Sequence, residues 1–157
     1  MAALALLPIS ADAACRQALA LGLDVSESVD TFEYRQQLDG LAMALQSPRV
    51  QEVLFRQPEA PIHVLVYEWS GPNDRKVVVP WTAIETVGTL GTVAGRLQNH
   101  RRSEAAPTTA IGSAMLAGFS YLQERSDCWK RTLDLSGDGQ TNTGPRPEDI
   151  SDNRTPS

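Results

Sequence analysis

An α/β fold, with an open and mostly parallel sheet, helices on both faces and one antiparallel edge strand, is what the chain predicts, and three observations carry that reading. Apolar runs of strand length alternate with helix-period patterns between residues 16 and 142, as in a chain of strand–helix–strand units. Two of those runs, 61–71 and 75–84, are joined only by the turn residues "GPND" and are close enough to pair as a hairpin. The first and last runs both break into polar turns at an aspartate, Asp24 and Asp138.

Residues 16–25 read as a buried strand, a short apolar run closed by a polar turn. A helix follows from Thr31 to Gln46: Asp30 and Glu33 form a capping-box pattern, and Phe32, Leu38, Leu41, Ala42 and Leu45 recur at helical spacing. "PIHVLVYEWSG" (61–71) is the second strand and "RKVVVPWTAI" (75–84) the third, which Pro80 confines to a sheet edge. Residues 86–102 have a helical pattern interrupted by Gly88, Gly91 and Gly95. A stronger helix runs from Thr109 to Glu124, with Ile111, Met115, Leu116, Phe119 and Leu122 on its apolar stripe. "RTLDLSGDGQTN" (131–142) is a strand that breaks into a glycine turn, and "GPRPEDI" opens another helical pattern before the polar tail "SDNRTPS". With residues 131–135 as its last strand, the sheet has an uncovered far edge. The expectation is therefore a domain that continues past Ser157, or a truncated frame.

At 157 residues and 41% apolar, the chain fits one domain with a substantial core. A net charge of −5 provides no basic footprint for nucleic acid. The single local basic cluster, Arg96, His100, Arg101 and Arg102, reads as a solvated helix end that complements the dipole. No apolar run approaches the ~20 residues of a transmembrane helix. The segment "MAALALLPISADAAC" has an apolar stretch and an A-x-A pattern ending at Ala13, so residues 1–13 are expected to be a partial signal peptide, cleaved after Ala13. A lipidated Cys15 is the lesser reading, because Asp12 stands where such signals take an aliphatic residue. The expected organisation is 1–13 leader, 14–150 domain and 151–157 disordered or non-native tail.

Cys15 precedes Asp24 by nine residues, and Cys128 precedes Asp138 by ten. On parallel strands each interval spans roughly 30 Å at ~3.3 Å per residue. Aspartates adjacent at one end of the sheet therefore bring the cysteines together at the other, within disulfide reach across neighbouring strands. The alternative is two unrelated buried thiols. A disulfide would place the chain in an oxidising compartment, periplasmic or secreted, in line with the leader.

That register gathers Asp24, Ser26, Ser28 and Asp138, with Thr108 and Thr109 opening the intervening helix, at the carboxyl ends of the strands, where open α/β sheets bind ligands. These are hard oxygen donors, two carboxylates among hydroxyls, a set that suits Mg²⁺. Neutral hydroxyls leave such an ion with positive charge uncompensated, and an acidic group of a partner can complete it.

At this point the residues resemble a known family. "DVSES" is similar to the D-x-S-x-S motif of von Willebrand factor A (vWA) domains, "TAIGSAM" to their T-x-x-G-x-A-L element, and "SGDGQTN" to their strand-end D-G segment, in the family's order. The resemblance covers about residues 16–150, the first two-thirds or so of such a domain. It implies a Rossmann-like fold with strand order 3-2-1-4-5-6, here without the last two strands. It also implies a metal-ion-dependent adhesion site (MIDAS) at Asp24, Ser26, Ser28, Thr109 and Asp138, holding Mg²⁺ or Mn²⁺ and meeting an acidic side chain of a protein partner. Thr109 is preferred to Thr108 because it lies three before Gly112. Glu27, Thr108 and Asn142 are assigned beside the ligands, supporting them or touching the partner. With "VYEWSG", "VVPWT" and the paired cysteines, the whole resembles a family of exported bacterial vWA-like proteins of unknown function.

Other chemistries fit less well. A calcium loop beginning at Asp134, Ser136, Asp138 and Gly139 has Pro145 where a bidentate Glu is required. A haloacid-dehalogenase-like phosphatase needs a carboxylate where Ser26 stands. There is no G-x-S-x-G, and the histidines are His63 in an apolar strand and His100 among arginines. The sequence thus reads as a binding module rather than an enzyme. A scaffold with an unused metal site is the main alternative, and a metal-dependent hydrolase the lesser one. Asp134 is expected to be a buried acid paired with a residue such as Arg131, Glu68 and Trp69 to be packing residues or to support the ligands from behind, and Trp81 to pack in the core or at an edge.

Overall fold

The computed structural model describes residues 14–137 and 139–151. Its elements are β1 (Cys15–Asp24), α1 (Thr31–Gln46), α2 (Pro48–Leu54), β2 (Ile62–Trp69), β3 (Arg75–Ile84), α3 (Val87–Asn99), α4 (Ile111–Gln123), β4 (Cys128–Ser136) and α5 (Pro147–Ser151). The leader reading of residues 1–13, Asp138, and the tail from 152 onward lie outside the described residues.

The strands form one sheet in the order β3-β2-β1-β4. β1 lies parallel to both β2 and β4, while β3 is antiparallel to β2 at the edge. This is the predicted α/β fold and the strand order that the resemblance implies. Pro80 has no amide to give to a ladder, so an edge suits it. The β2–β3 register also shifts beside it, between Val64↔Thr82 and Val66↔Val79.

Alternation along the strands divides the core in two. Leu21, Leu23, Val64, Val66 and Val79 face α1 and α3, meeting Leu38, Ala42, Leu90, Val93 and Leu97. Ala18, Ala20, Leu65, Tyr67 and Trp69 face α4, meeting Ala114, Ala117 and Leu122. The small residues on the α4 side leave room for the two large rings, and the buried Tyr67 hydroxyl donates to the Ala114 carbonyl at 2.8 Å.

α1 begins as its capping box predicts: the Asp30 side chain accepts from the Phe32 and Glu33 amides, and the Glu33 carboxylate accepts from the Asp30 amide. α2 is not among the helices expected from the sequence. It arises because Ser47 both ends α1 and caps the next helix, with Pro48 in its first turn. α3 stops at Asn99 rather than at 102, where His100 turns to extended backbone. No described helix is long and apolar enough to cross a membrane.

Cys15 stands opposite Cys128 in the β1–β4 register, and the two form a disulfide with Cα atoms 4.4 Å apart. The same register carries Leu23 opposite Ser136, so the carboxyl ends of β1 and β4 lie side by side. β2 ends with Trp69 opposite Asp24. Three parallel strands therefore open onto one rim, where the loops after Asp24, Trp69 and Ser136 meet.

Candidate metal centre

β1 delivers Asp24 to the rim fully buried, and its Oδ1 accepts the Ser26 amide at 2.8 Å. That bond, with the Val29 amide on the Ser26 carbonyl at 3.1 Å, winds the chain into a tight turn after the strand. Ser26 is fully buried, and its Oγ lies 2.9 Å from the Ser28 Oγ, either hydroxyl donating. The Thr109 hydroxyl, from a residue 3% exposed, donates to the same Ser26 Oγ at 3.1 Å. Three hydroxyls separated in sequence by as much as 83 positions thus form one cluster beside a buried carboxylate.

Thr109 is held from two sides. Asn142 accepts the Thr109 amide on Oδ1 at 3.0 Å and donates its own amide to the Thr109 carbonyl at 2.9 Å. The next residue, Ala110, donates to the Ser70 carbonyl at the end of β2 at 2.8 Å. Thr108 points elsewhere: its Oγ1 lies 2.9 Å from where a Cβ on Gly71 would stand. Glu27 is exposed between the two serines, and its amide donates to the Pro107 carbonyl at 3.3 Å.

Asp138, the remaining sequence-derived ligand, lies outside the described residues, but its neighbours reach the cluster. A Cβ on Gly137 would stand 2.9 Å from Asp24 Oδ2, and one on Gly139 would stand 3.1 Å from Ser28 Oγ and 3.3 Å from Thr109 Oγ1. A side chain at 137 would displace the Asp24 carboxylate and one at 139 would crowd the two hydroxyls, so the glycines of "SGDGQTN" suit this close approach.

Two properties bear on whether a metal suits the place. The donors are a carboxylate and hydroxyls, hard oxygens that favour Mg²⁺ or a similar divalent ion over thiolate- or imidazole-seeking metals. The Trp69 indole N–H, in a residue 2% exposed, also has no hydrogen-bond partner among the described residues. Its ring edge, at Cζ2, lies 3.2 Å from the same Cβ position on Gly137. A buried orphan donor is costly, and an ion with its water is one of the few ways to satisfy it. The residues fit such a group.

Beneath the turn lies a network that sequence reading missed. Glu68, 1% exposed, accepts the Tyr34 hydroxyl at 2.6 Å, the Ser103 hydroxyl, and a contact from His100 Nε2 at 3.1 Å. Burial, then the bond to Glu68, pushes the Tyr34 phenol far above its ordinary range. Arg102 lies 5.7 Å from the centre of the Tyr34 ring and donates to the Val25 and Ser26 carbonyls, both at 2.8 Å. The basic cluster is therefore not a solvated helix end: only Arg96 belongs to the last turn of α3. Nothing local in "HRRSE" signals this, because every partner lies more than 30 residues away.

One further expectation is corrected. Asp134 is exposed, not buried, because β4 is a sheet edge among the described residues. Trp81 is half-buried against the α4 side of the core. His63 and Arg125 are in side-chain contact. Burial, then the Arg125 charge, holds His63 below the usual histidine range. Cys15, Asp127 and Cys128 cluster closely enough to hold a metal, but the cysteines are joined as a disulfide and offer no thiolates.

The model of a family described as "Protein of unknown function (DUF1194)" matches residues 14–156. No curated protein matches the chain. Among solved structures it is similar to proximal thread matrix protein 1 from the mussel byssus with a zinc-occupied MIDAS motif, at 17% identity and a TM-score of 0.65, covering 88% of this chain and 35% of that one. It is similar to the pilus adhesin SpaC from Lactobacillus rhamnosus GG in its open conformation, at 16% and 0.55, covering 77% of this chain and 14% of that one. A third is the vWF domain of the type V pili tip protein Mfa5 from Porphyromonas gingivalis, at 12% and 0.50, covering 82% and 39%. The chain spans about a third of the length of the mussel protein structures it matches. At such identities the likeness speaks for the fold. The chain belongs to the DUF1194 family, and its sheet of order β3-β2-β1-β4 has the von Willebrand factor A fold.

Proposed function

We propose that the chain is an exported, metal-dependent protein-binding module in which Asp24, Ser26, Ser28, Thr109 and Asp138 hold Mg²⁺ or Mn²⁺ for an acidic side chain of a partner protein. The observation that carries this reading is the cluster of Ser26, Ser28 and Thr109 hydroxyls beside buried Asp24, approached closely by Gly137 and Gly139. When bound, the ion supplies a positively charged contact point for an anionic group. Three of the five donors are neutral hydroxyls, weak ligands that leave the ion a position to take up a stronger donor, and a partner carboxylate is a hard oxygen of that kind. Asn142 fixes Thr109, and exposed Glu27 meets the partner at the rim.

Several features favour binding over turnover and export over retention. Among the described residues His100 contacts Glu68 and His63 contacts Arg125, so neither stands at the hydroxyl cluster as a base. The disulfide suits an oxidising compartment, the periplasm or the exterior, with residues 1–13 as leader, 14–150 as the domain and 151–157 as tail. The similar structures are named as a matrix protein, a pilus adhesin and a pilus tip protein, and one MIDAS motif there holds zinc, a divalent ion.

The test is thermal unfolding in EDTA, Mg²⁺ and Mn²⁺ for the native chain and Asp24→Ala. A ligand at one hundred times its Kd adds about 2.7 kcal/mol to the folded state. For a chain of this size that is a rise of about 5–10 °C, and the rise is expected to vanish in the variant. A cooperative transition that ignores millimolar metal would sink the proposal and favour the scaffold reading.

A further inference from the structure

We infer that Arg102 is the positioning residue of this metal centre, a strap that holds the D-x-S-x-S turn in its ligating shape. The inference rests on the metal-binding reading above. The Arg102 guanidinium donates to two successive carbonyls, Val25 and Ser26, each at 2.8 Å. These belong to the peptide units immediately before and after the Ser26 side chain, the hydroxyl shared by Ser28 and Thr109. Charge-assisted bonds of this length are stronger than neutral ones, and two on adjacent peptides fix the backbone rotation that aims Ser26.

The strap has its own foundation. His100 and Ser103, on either side of Arg102, both contact the buried Glu68 carboxylate. The Tyr34 ring lies under the guanidinium while its hydroxyl donates to Glu68. Arg35 ties the same segment to α1 through the Leu97 and His100 carbonyls, both at 3.0 Å. Arg102 is therefore held by elements that do not themselves supply ligands.

Charge cannot be the reason for Arg102. A guanidinium beside a cation site opposes metal binding by Coulomb repulsion. A residue there for its charge would weaken the site, whereas one there for its bonds strengthens it, and the two roles give opposite results. Arg102→Met removes the charge and keeps much of the packing volume; Arg102→Lys keeps the charge, but its nitrogen sits one bond short of the Nη2 that makes both bonds. Positioning requires both variants to bind metal more weakly, by about 10–100-fold, the range seen when residues orienting metal ligands are removed.

The experiment is isothermal titration of Mn²⁺ into the native chain, Arg102→Met, Arg102→Lys and Tyr34→Phe, with thermal unfolding of each in EDTA. Tyr34→Phe keeps the ring under Arg102 and loses the bond to Glu68. It is expected to unfold at a lower temperature and bind Mn²⁺ within about twofold of native, so that affinity and stability separate. Arg102→Met binding as tightly as native or tighter overturns the inference. So does an affinity that simply tracks the unfolding temperature across all variants, or an apo fold that collapses in both Arg102 variants. A native chain that takes up no Mn²⁺ overturns the metal reading together with this one, whereas native binding with unchanged Arg102 variants overturns this one alone.

Discussion

At its amino end β1 is tied to β4 by a covalent bond, Cys15 to Cys128, and flanked by a surface group of Arg125, Asp127 and His63. At its carboxyl end the same strand delivers Asp24 into a place held by noncovalent contacts: the hydroxyl cluster, the Asn142 clamp and the Arg102 strap over buried Glu68. A disulfide limits the unfolded chain without asking anything of the loops. A polar network limits the folded loops directly, and each of its bonds is lost when one partner changes. The amino end should thus govern whether the fold persists, and the carboxyl end whether the oxygens are aimed.

The sharpest way to break that division is to remove the disulfide. Cys15 and Cys128 are 113 positions apart, and closing a loop of that size is worth about 4–5 kcal/mol in the chain-entropy model. Urea unfolding of the Cys15→Ala/Cys128→Ala double variant is expected to lose most of that, while Mn²⁺ affinity measured where the variant is still folded stays near native. If affinity falls along with stability, the two ends are not separable.

Glu68→Ala attacks the other end. It leaves the buried Tyr34 hydroxyl without its acceptor and releases both His100 and Ser103. The cost is expected to be about 3 kcal/mol, and unlike the disulfide variant this one should also bind metal more weakly because the strap is loosened. A variant that unfolds earlier but keeps its Mn²⁺ affinity would detach the network from the site.

The contrast also explains what was legible in the sequence. Signals that act within a few residues were readable: the Asp30/Glu33 box placed the start of α1, Pro80 put β3 at an edge, and "DVSES" is a single turn. The disulfide was readable because strand spacing is metrical, so two intervals of nearly equal length imply aligned ends. The Glu68 network was not, since Tyr34, His100 and Ser103 come from separate segments and meet at a carboxylate only after the sheet and α1 have packed. Asp134 was misjudged for a related reason: a strand's pattern does not reveal whether a neighbour covers its outer face.

A milder change at the carboxyl end is Asn142→Ala. It removes the acceptor of the Thr109 amide while leaving the backbone bond from residue 142 to the Thr109 carbonyl. One part-buried hydrogen bond is worth about 1 kcal/mol, so unfolding should shift little. Mn²⁺ affinity is expected to drop by several-fold, because a Thr109 held on one side only aims its hydroxyl less well. Equal, small effects on both measurements would make Asn142 an ordinary loop contact.

The smallest effect belongs to the amino end and is read through pH. His63 pairs with Ala18 in the sheet register, and its ring contacts the Arg125 guanidinium, which as a donor needs an unprotonated ring nitrogen. Burial first, and the Arg125 charge second, lower the folded-state pKa below the ordinary 6.5. The unfolded chain therefore takes the proton first as pH falls. The stabilising contribution is complete above pH 6.5, declines as pH drops from there through the lowered folded value, and is gone below it. His63→Gln keeps an acceptor for Arg125 but does not titrate. Urea midpoints from pH 8 to pH 5 should fall more steeply for the native chain than for this variant, and the difference isolates His63 from His100, which both proteins retain. Parallel curves would mean that His63 is no less willing to ionise in the fold than out of it, and that the amino end depends on its disulfide alone.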